Sequence, residues 1–163
     1  MKRRWYVLHV KPRAEKKTAD RLGLYRLWHY LPVCEKVTRI QRRKIVRRLP
    51  LFPGYVFACM NPDERVMMLR SNLIVRTIDV PGQRELIHQL RQIAKAGRAG
   101  AEMRKVEKFS AGDPVRVIGG PLYGLEGYVR SDEGGTQIVL NVEILGQAVA
   151  VSIAPGDCEK LNP

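Results

Sequence analysis

Two prolines bracket a leucine and a phenylalanine in residues 50–57, which read Pro-Leu-Phe-Pro-Gly-Tyr-Val-Phe. Proline has no backbone N–H and fixes φ, so Pro50 and Pro53 cannot both lie inside a central strand. We therefore predict a stiff, roughly extended connector before Gly54, followed by an apolar strand. Such a connector does not fold back on itself easily. Phe52 must either be buried under a neighbouring element or be presented to a partner.

Positive charge is concentrated in the first two thirds of the chain. The 163 residues carry a formal net charge of +13. Residues 1–48 hold 16 Lys or Arg against 3 Asp or Glu, a net +13. Residues 49–108 hold 10 against 6, a net +4, and residues 109–163 hold 3 against 7, a net −4. The basic part is therefore predicted to meet nucleic acid, and the acidic part to serve a different purpose.

Several classes of protein are disfavoured by the sequence. No apolar run reaches the roughly 18 residues of a membrane helix, and the first apolar run stops at Lys11 and Pro12, too early for a secretory signal. Cys34, Cys59 and Cys158 are too far apart for a zinc or redox motif and are predicted to be buried free thiols. There is no P-loop, nucleophile elbow or close carboxylate pair. We predict a cytoplasmic protein that is not an enzyme and binds no metal or cofactor.

Strands and helices alternate through the basic part of the chain. Residue patterns predict strands over residues 5–10, 54–60 and 73–80, helices over 13–27, 62–70 and 85–96, and a two-stranded arm over 31–49. The strand over residues 54–60 is apolar at nearly every position, so we expect it to be central and covered on both faces. The second helix is expected to begin with Asn61 as N-cap and Pro62 at its first position.

Two basic surfaces are predicted on these elements. Arg13, Lys17 and Arg21 recur every fourth residue of the first predicted helix, as either a solvated face or a stripe that contacts phosphates. The arm has a basic tip. The charges at this tip are Arg42, Arg43 and Lys44. An arm this cationic repels itself unless it meets counter-charge, so we predict nucleic-acid contact in preference to bare solvation.

Short strands separated by glycine-rich turns fill the last third of the chain. Roughly five of them in about fifty residues indicate a small β-barrel, because closure removes exposed strand edges. Residues 98–108 lack strong apolar periodicity and are predicted to be a linker. We therefore predict an α+β chain with one domain over residues 1–97 and a second over residues 109–163.

Three features, in this order along the chain, resemble the NusG family of transcription elongation and antitermination factors. They are Arg-Trp-Tyr-Val at residues 4–7, Leu-Phe-Pro-Gly-Tyr-Val at residues 51–56, and a pattern over residues 112–129 that resembles the KOW motif. The resemblance covers nearly the whole chain. It implies an N-terminal antiparallel sheet flanked by helices and a C-terminal SH3-like barrel of five strands. The start of the first predicted helix is similar to that of specialised, operon-specific members.

The resemblance also implies a surface that binds RNA polymerase. In the family, the N-terminal domain docks on the clamp helices of the largest polymerase subunit and reaches the gate region of the second large subunit. These two contacts would hold the clamp closed and suppress pausing or termination. The positions that match the clamp contact are Trp5, Leu51, Phe52 and Tyr55. The positions that match the gate contact are Arg70, Ser71 and Asn72. Trp5 and Tyr55 are, on the alternative interpretation, core residues.

Further partners follow from the same resemblance. Specialised members bind the non-template DNA strand or a nascent RNA hairpin beside the first helix. The matching positions are Lys11, Arg13, Lys17 and Arg21. In the family, the barrel binds either the termination factor Rho or a small-subunit ribosomal protein. The matching loop is Ile144, Leu145, Gly146 and Gln147. The general factor has an aromatic residue at the position of Leu145 and an arginine at that of Gln147, so the sequence argues against Rho more than against the ribosome.

The predicted protein is a monomer that links RNA polymerase to a further partner through its barrel. A ribosomal-type structural RNA-binding protein with a KOW barrel is the alternative. Such a protein would not need the proline-bracketed connector at residues 50–57, and its positive charge should extend into the barrel, whereas residues 109–163 carry −4. The sequence does not distinguish DNA from RNA as the target, or a general factor from an operon-specific one.

Overall fold

The computed structural model describes residues 2–107 and 112–161. Contacts divide the chain into two compact units, an N-terminal unit, Met1–Gln83, and a C-terminal unit, Arg84–Pro163. Both units combine antiparallel strands with helices, as the α+β prediction requires. No helix among the described residues is long and apolar enough to cross a membrane.

A four-stranded antiparallel sheet lies at the centre of the N-terminal unit. The strands of this unit are β1 (Arg4–Val10), β2 (His29–Tyr30), β3 (Val33–Ile40), β4 (Arg43–Pro50), β5 (Tyr55–Met60) and β6 (Ile74–Asp79). Its helices are α1 (Glu15–Leu24) and α2 (Pro62–Leu69). The order in the sheet is β2-β5-β1-β6, while β3 and β4 form a separate hairpin. Strand β5 is therefore interior, as its apolar sequence predicts.

One face of this sheet forms a core with the two helices. Leu8 of β1 and Val56 of β5 are register partners, and they pack in one cluster with Leu22 of α1 and Met68 of α2. Side chains alternate along a strand, so Phe57 points to the opposite face of β5, and it is also fully buried. The prediction that this strand is covered on both faces is confirmed.

Helix α2 begins with the cap that the sequence predicts. The Asn61 side chain accepts a hydrogen bond from the Glu64 backbone N–H at 2.8 Å, and Glu64 Oε1 accepts one from the Asn61 N–H at 2.9 Å. Pro62 occupies the first helical position, where a missing N–H costs nothing. This reciprocal pair fixes where the chain leaves β5 and turns back toward β6.

A six-stranded antiparallel sheet forms most of the C-terminal unit. Its elements are α3 (Gln83–Arg98), β7 (Arg104–Glu107), β8 (Pro114–Val117), β9 (Glu126–Asp132), β10 (Gly135–Val142), β11 (Gln147–Ser152) and β12 (Cys158–Lys160). The order of the strands is β12-β8-β9-β10-β11-β7. The prediction of five strands missed β7, which pairs with β11 and lies inside the predicted linker. Its sequence, Arg-Lys-Val-Glu, has one apolar residue, because an edge strand needs little burial.

Helix α3 makes hydrogen bonds to the barrel strands and loops. Gln92 Oε1 accepts from the Glu126 N–H at 2.8 Å, and Gln89 Oε1 accepts from the Glu143 N–H at 3.0 Å. These contacts help to group nearly all of α3 with the C-terminal unit, whereas the sequence places this helix in the domain that ends at residue 97. The extent of each independently folding domain stays a prediction.

The cysteines are only partly as predicted. All three are free thiols, but only Cys59 is fully buried, while Cys34 and Cys158 are half-buried. Cys59 lies on β5 inside the sheet, and burial raises the pKa of its thiol. The other two lie on β3 and β12, at the margins of their sheets, where a small apolar side chain is not enclosed.

Gly127 on β9 provides a test of the barrel packing. A Cβ built there would lie 2.5 Å from the Val139 carbonyl oxygen, a backbone atom that cannot move aside. We expect Gly127→Ala to destabilise the C-terminal unit by about 1–3 kcal/mol in chemical denaturation. Gly156→Ala is the matched control, because a Cβ at Gly156 meets nothing within 4 Å. Equal effects of the two variants would contradict this packing.

Candidate functional site

The hairpin of β3 and β4 has the basic tip that the sequence predicts. Among the described residues, these strands pair only with each other. Gln41 and Arg42 connect them with φ of 50° and 66°, the left-handed backbone of a two-residue type I′ turn. Arg43 and Lys44 follow at the start of β4, and all three tip charges are exposed.

The register of the hairpin places like charges directly opposite each other. Lys36 faces Arg47, and Arg39 faces Lys44. Opposed like charges in an antiparallel pair are destabilising. Glu35 and Arg48 form an opposite-charge pair in this register, but the pair is exposed and has a long separation of 3.8 Å, so it contributes little. Glu35 therefore does not balance the basic side chains of the free hairpin, and their mutual repulsion remains.

Basic side chains occupy both faces of this ribbon. Because side chains alternate along each strand, one face holds Arg39, Lys44 and Arg48, and the other holds Lys36, Arg43 and Arg47. All six are exposed. Val37 and Val46, a cross-strand pair on the first face, are also about half exposed, at 51% and 49%. A polyanion can therefore approach the ribbon from either side.

The basic stripe predicted on the first helix is shorter than expected. Helix α1 begins at Glu15, and Arg13 precedes it with φ of 62°, so Arg13 is not on the helical face. Lys17 and Arg21 remain on α1, one exposed and one half-buried. Lys11 lies before the helix, where its Nζ donates to Asn72 Oδ1 at 2.7 Å.

A groove of about 480 Å³ is lined by residues from two predicted sites, the nucleic-acid site and the polymerase-gate site. It lies between the C-terminal end of α1 and helix α2. Arg21, predicted for nucleic acid, lines it together with Arg70 and Ser71, predicted for the polymerase gate. The bond between Lys11 and Asn72 is a second contact between the two predicted sets.

Tyr25 is the lining residue of this groove that sequence reasoning missed. It is 36% exposed and stands at the C-terminal end of α1, near the guanidinium groups that line the same groove. An accessible aromatic beside cations is the usual platform for an unstacked base. Its signal in the sequence is weak, because Tyr25 continues the helical spacing of the buried residues Thr18 and Leu22.

The proline-bracketed connector is folded, not extended. Gly54, with φ of 90°, lets the chain reverse, and its N–H donates to Glu15 Oε2 at 3.0 Å. The Tyr55 N–H donates to the Phe52 carbonyl at 3.2 Å, and the Leu51 N–H to the Pro32 carbonyl at 2.8 Å. These bonds draw Leu51 and Phe52 inward, leaving them 3% and 1% exposed. Of the two alternatives for Phe52, the structure shows burial.

The other two positions of the predicted polymerase surface are accessible in part. Trp5 and Tyr55 are half-buried and point to the same face of the sheet. The Tyr55 ring stacks on His9, with centroids 5.4 Å apart. The Gln83 side chain bonds both backbone groups of Trp5, at 2.7 and 2.8 Å. Trp5 and Tyr55 lie four residues apart along the register, so they mark opposite ends of one face.

The predicted partner loop of the barrel is a short 3₁₀ helix, Glu143–Leu145, followed by Gly146. Gly146 has φ of 63° and is exposed, and the side chains of Ile144, Leu145 and Gln147 are half-buried. The loop leads directly into β11. It therefore offers a small apolar surface at one end of the sheet.

An ion pair ties the N-terminus to helix α2. Arg3 donates two hydrogen bonds to Glu64, at 2.9 and 2.8 Å. These bonds hold the pKa of Glu64 below its ordinary value and raise that of Arg3. A carboxylate whose pKa is lowered on folding stabilises the fold above the pKa of the unfolded chain. That stabilisation is lost as the pH falls through the folded pKa.

Glu64→Gln is therefore expected to lower the Tm by only a few degrees at neutral pH, because Arg3, its partner, keeps more than half of its side chain exposed and solvent weakens the pair. The difference from the original chain should shrink as the pH falls below the ordinary range of a glutamate. Thermal denaturation at a series of pH values measures this. Asp63→Asn, an exposed neighbour in the same helical turn, is the control and should show less pH dependence. A difference in Tm that persists in acid would contradict this role for Glu64.

Comparisons with known proteins identify the family of the chain. The family model described as "NusG: Transcription termination factor nusG" matches residues 3–95, more than half of the chain. No match was found among curated proteins. A solved chain described as "Crystal Structure of MjSpt4:Spt5 complex conformation B" aligns at 17% identity, covering 92% of this chain and 99% of that one. Its TM-score is 0.31, too low to carry an argument. From the family match over residues 3–95, the chain belongs to the NusG family of transcription factors.

Proposed function

We propose that the protein is a transcription elongation or antitermination factor that binds RNA polymerase and nucleic acid through its N-terminal unit. The observation that carries the proposal is the family match over residues 3–95, which spans every surface described for that unit. We propose further that it acts in the cytoplasm, as a monomer and by binding alone. No covalent bond is made or broken.

The polymerase surface is proposed on the sheet face that carries Trp5 and Tyr55. Both side chains keep part of their area accessible, and aromatic side chains are effective anchors in interfaces. Leu51 and Phe52 support this surface from within, because their burial fixes the turn from which Tyr55 emerges. The proposed target is the pair of clamp helices in the largest polymerase subunit. A rigid anchor loses little entropy on binding.

The nucleic-acid surface is proposed to have two parts. The hairpin supplies charge on both faces, suited to phosphates. The groove between α1 and α2 supplies Arg21, Arg70 and the accessible ring of Tyr25, suited to a single strand whose bases stack. The groove also includes the residues that match the gate contact of the polymerase. We therefore propose that the non-template DNA strand or nascent RNA passes near this gate.

Binding at the clamp and at the gate would act on an equilibrium that the polymerase already has. A factor that binds the closed clamp more tightly than the open one shifts the population toward the closed state. The closed state retains nucleic acid and resists pausing. The size of the shift cannot exceed the difference in the factor's affinity for the two states.

The barrel is proposed to recruit a second partner through residues Ile144, Leu145, Gly146 and Gln147. This loop offers half-buried apolar side chains beside an exposed glycine, so a partner can approach the backbone closely. A small-subunit ribosomal protein is the proposed partner, in preference to Rho. Ribosomal proteins are basic, and residues 109–163 carry a net charge of −4.

A retention assay with immobilised full-length protein tests the proposal. We expect core RNA polymerase to be retained, and Tyr55→Ala and Trp5→Ala each to weaken retention about tenfold, as truncated interface anchors do. Tyr123→Ala, an exposed tyrosine of the C-terminal unit, is the matched control and should retain polymerase fully. Retention of ribosomal RNA without polymerase would overturn the proposal in favour of a ribosomal-type protein.

A transcription run-on assay tests the regulatory part. The protein should increase read-through at pause or termination sites. Templates with and without a cognate leader sequence distinguish a general factor from an operon-specific one. No change in read-through on either template would contradict the proposed activity even if polymerase were bound.

A further inference from the structure

The turn at the end of the hairpin holds two residues that are unusual in such a turn. Gln41 and Arg42 connect β3 and β4, with φ of 50° and 66°. A two-residue type I′ turn prefers asparagine and glycine, because most other residues are strained at positive φ. The chain therefore keeps a long amide and a guanidinium at the tip in spite of backbone strain. Strain of this kind is concentrated at functional sites.

The side chains around this turn are accessible to a ligand. Gln41 and Arg42 are exposed, and so are their flanking residues Ile40 and Arg43, which face each other in the register. Ile40 keeps 52% of its surface accessible although its side chain is entirely apolar. The tip therefore presents an amide, two guanidinium groups and one aliphatic side chain at the same place.

Cations lie on both faces of the ribbon just behind the tip. Arg39 and Lys44 are partners on one face, and Arg43 lies on the other, with Lys36 and Arg47 behind it. A flat surface, or a single strand laid along the ribbon, meets one of these faces at a time. The groove of a nucleic-acid duplex has two walls of phosphates, which can meet both faces together. The charge pattern therefore favours a duplex whose groove is entered by the tip.

The faces of the ribbon do not suit the major groove. A two-stranded ribbon that reads this groove lies in it with the side chains of one face against the base edges. Those edges carry hydrogen-bond donors and acceptors, so the reading face needs polar side chains at its centre. Here Val37 pairs with Val46 at the centre of one face, and Thr38 pairs with Ile45 at the centre of the other. These centres offer a single hydroxyl for base contact.

The tip has the residue types that read the minor groove. Proteins that bind this groove use Arg, Lys, Asn and Gln side chains on its floor, and they often insert an aliphatic side chain between base steps. Arg42 and Gln41 are of the first kind, and Ile40 is of the second. All three are exposed within one turn of the chain.

We propose that the hairpin tip inserts into the minor groove of duplex DNA and prefers A·T base pairs. Arg42 enters the groove, where the potential is most negative when an A·T tract narrows it. The Gln41 amide donates to adenine N3 or thymine O2, and Ile40 packs against a base step. A G·C pair places the guanine N2 amino group on the groove floor, a donor where the amide needs an acceptor. Arg43 and Lys44, on opposite faces, contact the two phosphate walls.

This inference rests on the proposed nucleic-acid contact of the hairpin and narrows its ligand to one class. The groove between α1 and α2, with its accessible aromatic ring, suits a single strand, whereas the hairpin tip suits a duplex. RNA duplexes are disfavoured, because their minor groove is wide and shallow and its phosphate walls stand farther apart. The two surfaces would then let one factor hold paired and unpaired nucleic acid at the same time.

Binding of the full-length chain to labelled duplexes tests the proposal by fluorescence anisotropy. Three DNA duplexes, each slightly longer than one helical turn, carry A·T, G·C or inosine·cytosine pairs at their centres. Inosine lacks the N2 amino group of guanine, so its pair with cytosine combines the minor-groove pattern of A·T with the major-groove pattern of G·C. We expect the A·T and inosine duplexes to bind about tenfold more tightly than the G·C duplex.

The double variant Gln41→Gly with Arg42→Gly gives the sharpest test. Glycine adopts positive φ without strain, so the turn should still form and the Tm should change little. The A·T and G·C duplexes should then bind with affinities within about twofold of each other, because the reading side chains are gone. Lys36→Ala is the matched control, since it also removes one positive charge from the hairpin but lies away from the tip. It should weaken binding to all three duplexes alike.

Binding of the inosine duplex as weak as that of the G·C duplex would overturn the inference, because those two duplexes share only the major-groove pattern. Equal affinity for all three duplexes would overturn it too, as would an undiminished A·T preference in the double glycine variant. These outcomes would leave the phosphate contact of the hairpin intact, which the salt dependence of binding measures separately. Polymerase retention is tested at Trp5 and Tyr55, so failure of the proposed function is distinguishable.

Discussion

Reversal of the three charges at the hairpin tip, with Arg42→Glu, Arg43→Glu and Lys44→Glu, will weaken nucleic-acid binding and flatten its dependence on salt. Each phosphate contact releases counterions, so the logarithm of affinity falls with the logarithm of salt concentration by about 0.7 to 0.9 per contact. Loss of three contacts should lower that slope by about 2 to 3. Fluorescence anisotropy between about 50 and 200 mM salt, with single-stranded and duplex DNA and with RNA, measures it.

A matched triple variant separates contact from general attraction. Arg91→Glu, Arg98→Glu and Lys105→Glu change the net charge by the same amount at exposed positions of the C-terminal unit. This variant should weaken binding through the long-range field but keep most of the slope. Equal slopes in the two triple variants would show that the hairpin tip is solvated and does not contact phosphate.

Phe52→Ala will destabilise the N-terminal unit by about 3–5 kcal/mol, the usual range for truncation of a fully buried aromatic. Phe52 is 1% exposed and stands within the turn that Gly54 and Glu15 hold in place. Both tryptophans of the chain, Trp5 and Trp28, lie in this unit, so tryptophan fluorescence in urea reports on its unfolding alone.

The matched comparison for Phe52→Ala is Tyr55→Ala, since Tyr55 follows the same turn but is only half-buried. We expect the cost at Tyr55 to be clearly smaller. Equal unfolding midpoints for Phe52→Ala and the original chain would contradict the burial of Phe52. The comparison also determines how the polymerase-retention assay is interpreted. Retention by Phe52→Ala has to be expressed per folded molecule, because this variant is expected to be less stable. Loss of retention by Tyr55→Ala reports mainly on the polymerase-binding surface itself.

The elements that the sequence predicts well are those fixed by neighbouring residues. Asn61 and Glu64 are three residues apart, so the cap they form is visible in the sequence. The hairpin is likewise local, because the strands on either side of Gln41 and Arg42 are adjacent in the chain. The interior position of β5 follows from its continuous apolar sequence, which only a strand covered on both faces can bury.

The features that the sequence missed depend on residues far apart in the chain. Phe52 is drawn inward partly because Glu15 accepts a hydrogen bond from the N–H of Gly54, which lies 39 residues further along the chain. Strand β7 exists because β11 offers it an edge, and its own residues give no such signal. The groove joins Arg21 to Arg70 only because α1 and α2 pack on the same face of one sheet. These contacts join residues that are distant in the sequence, so a local sequence pattern does not predict them.

The register of the hairpin makes the stability of its strand pairing depend on whether a ligand is bound. Lys36 against Arg47 and Arg39 against Lys44 weaken the pairing of β3 with β4 in the free chain. Phosphates that neutralise these side chains remove the repulsion, so a polyanion stabilises the paired ribbon as well as contacting it. Binding and local folding are then one equilibrium. The backbone amides of this hairpin should exchange with solvent more slowly whenever its ligand is present, which makes them a direct reporter of occupancy.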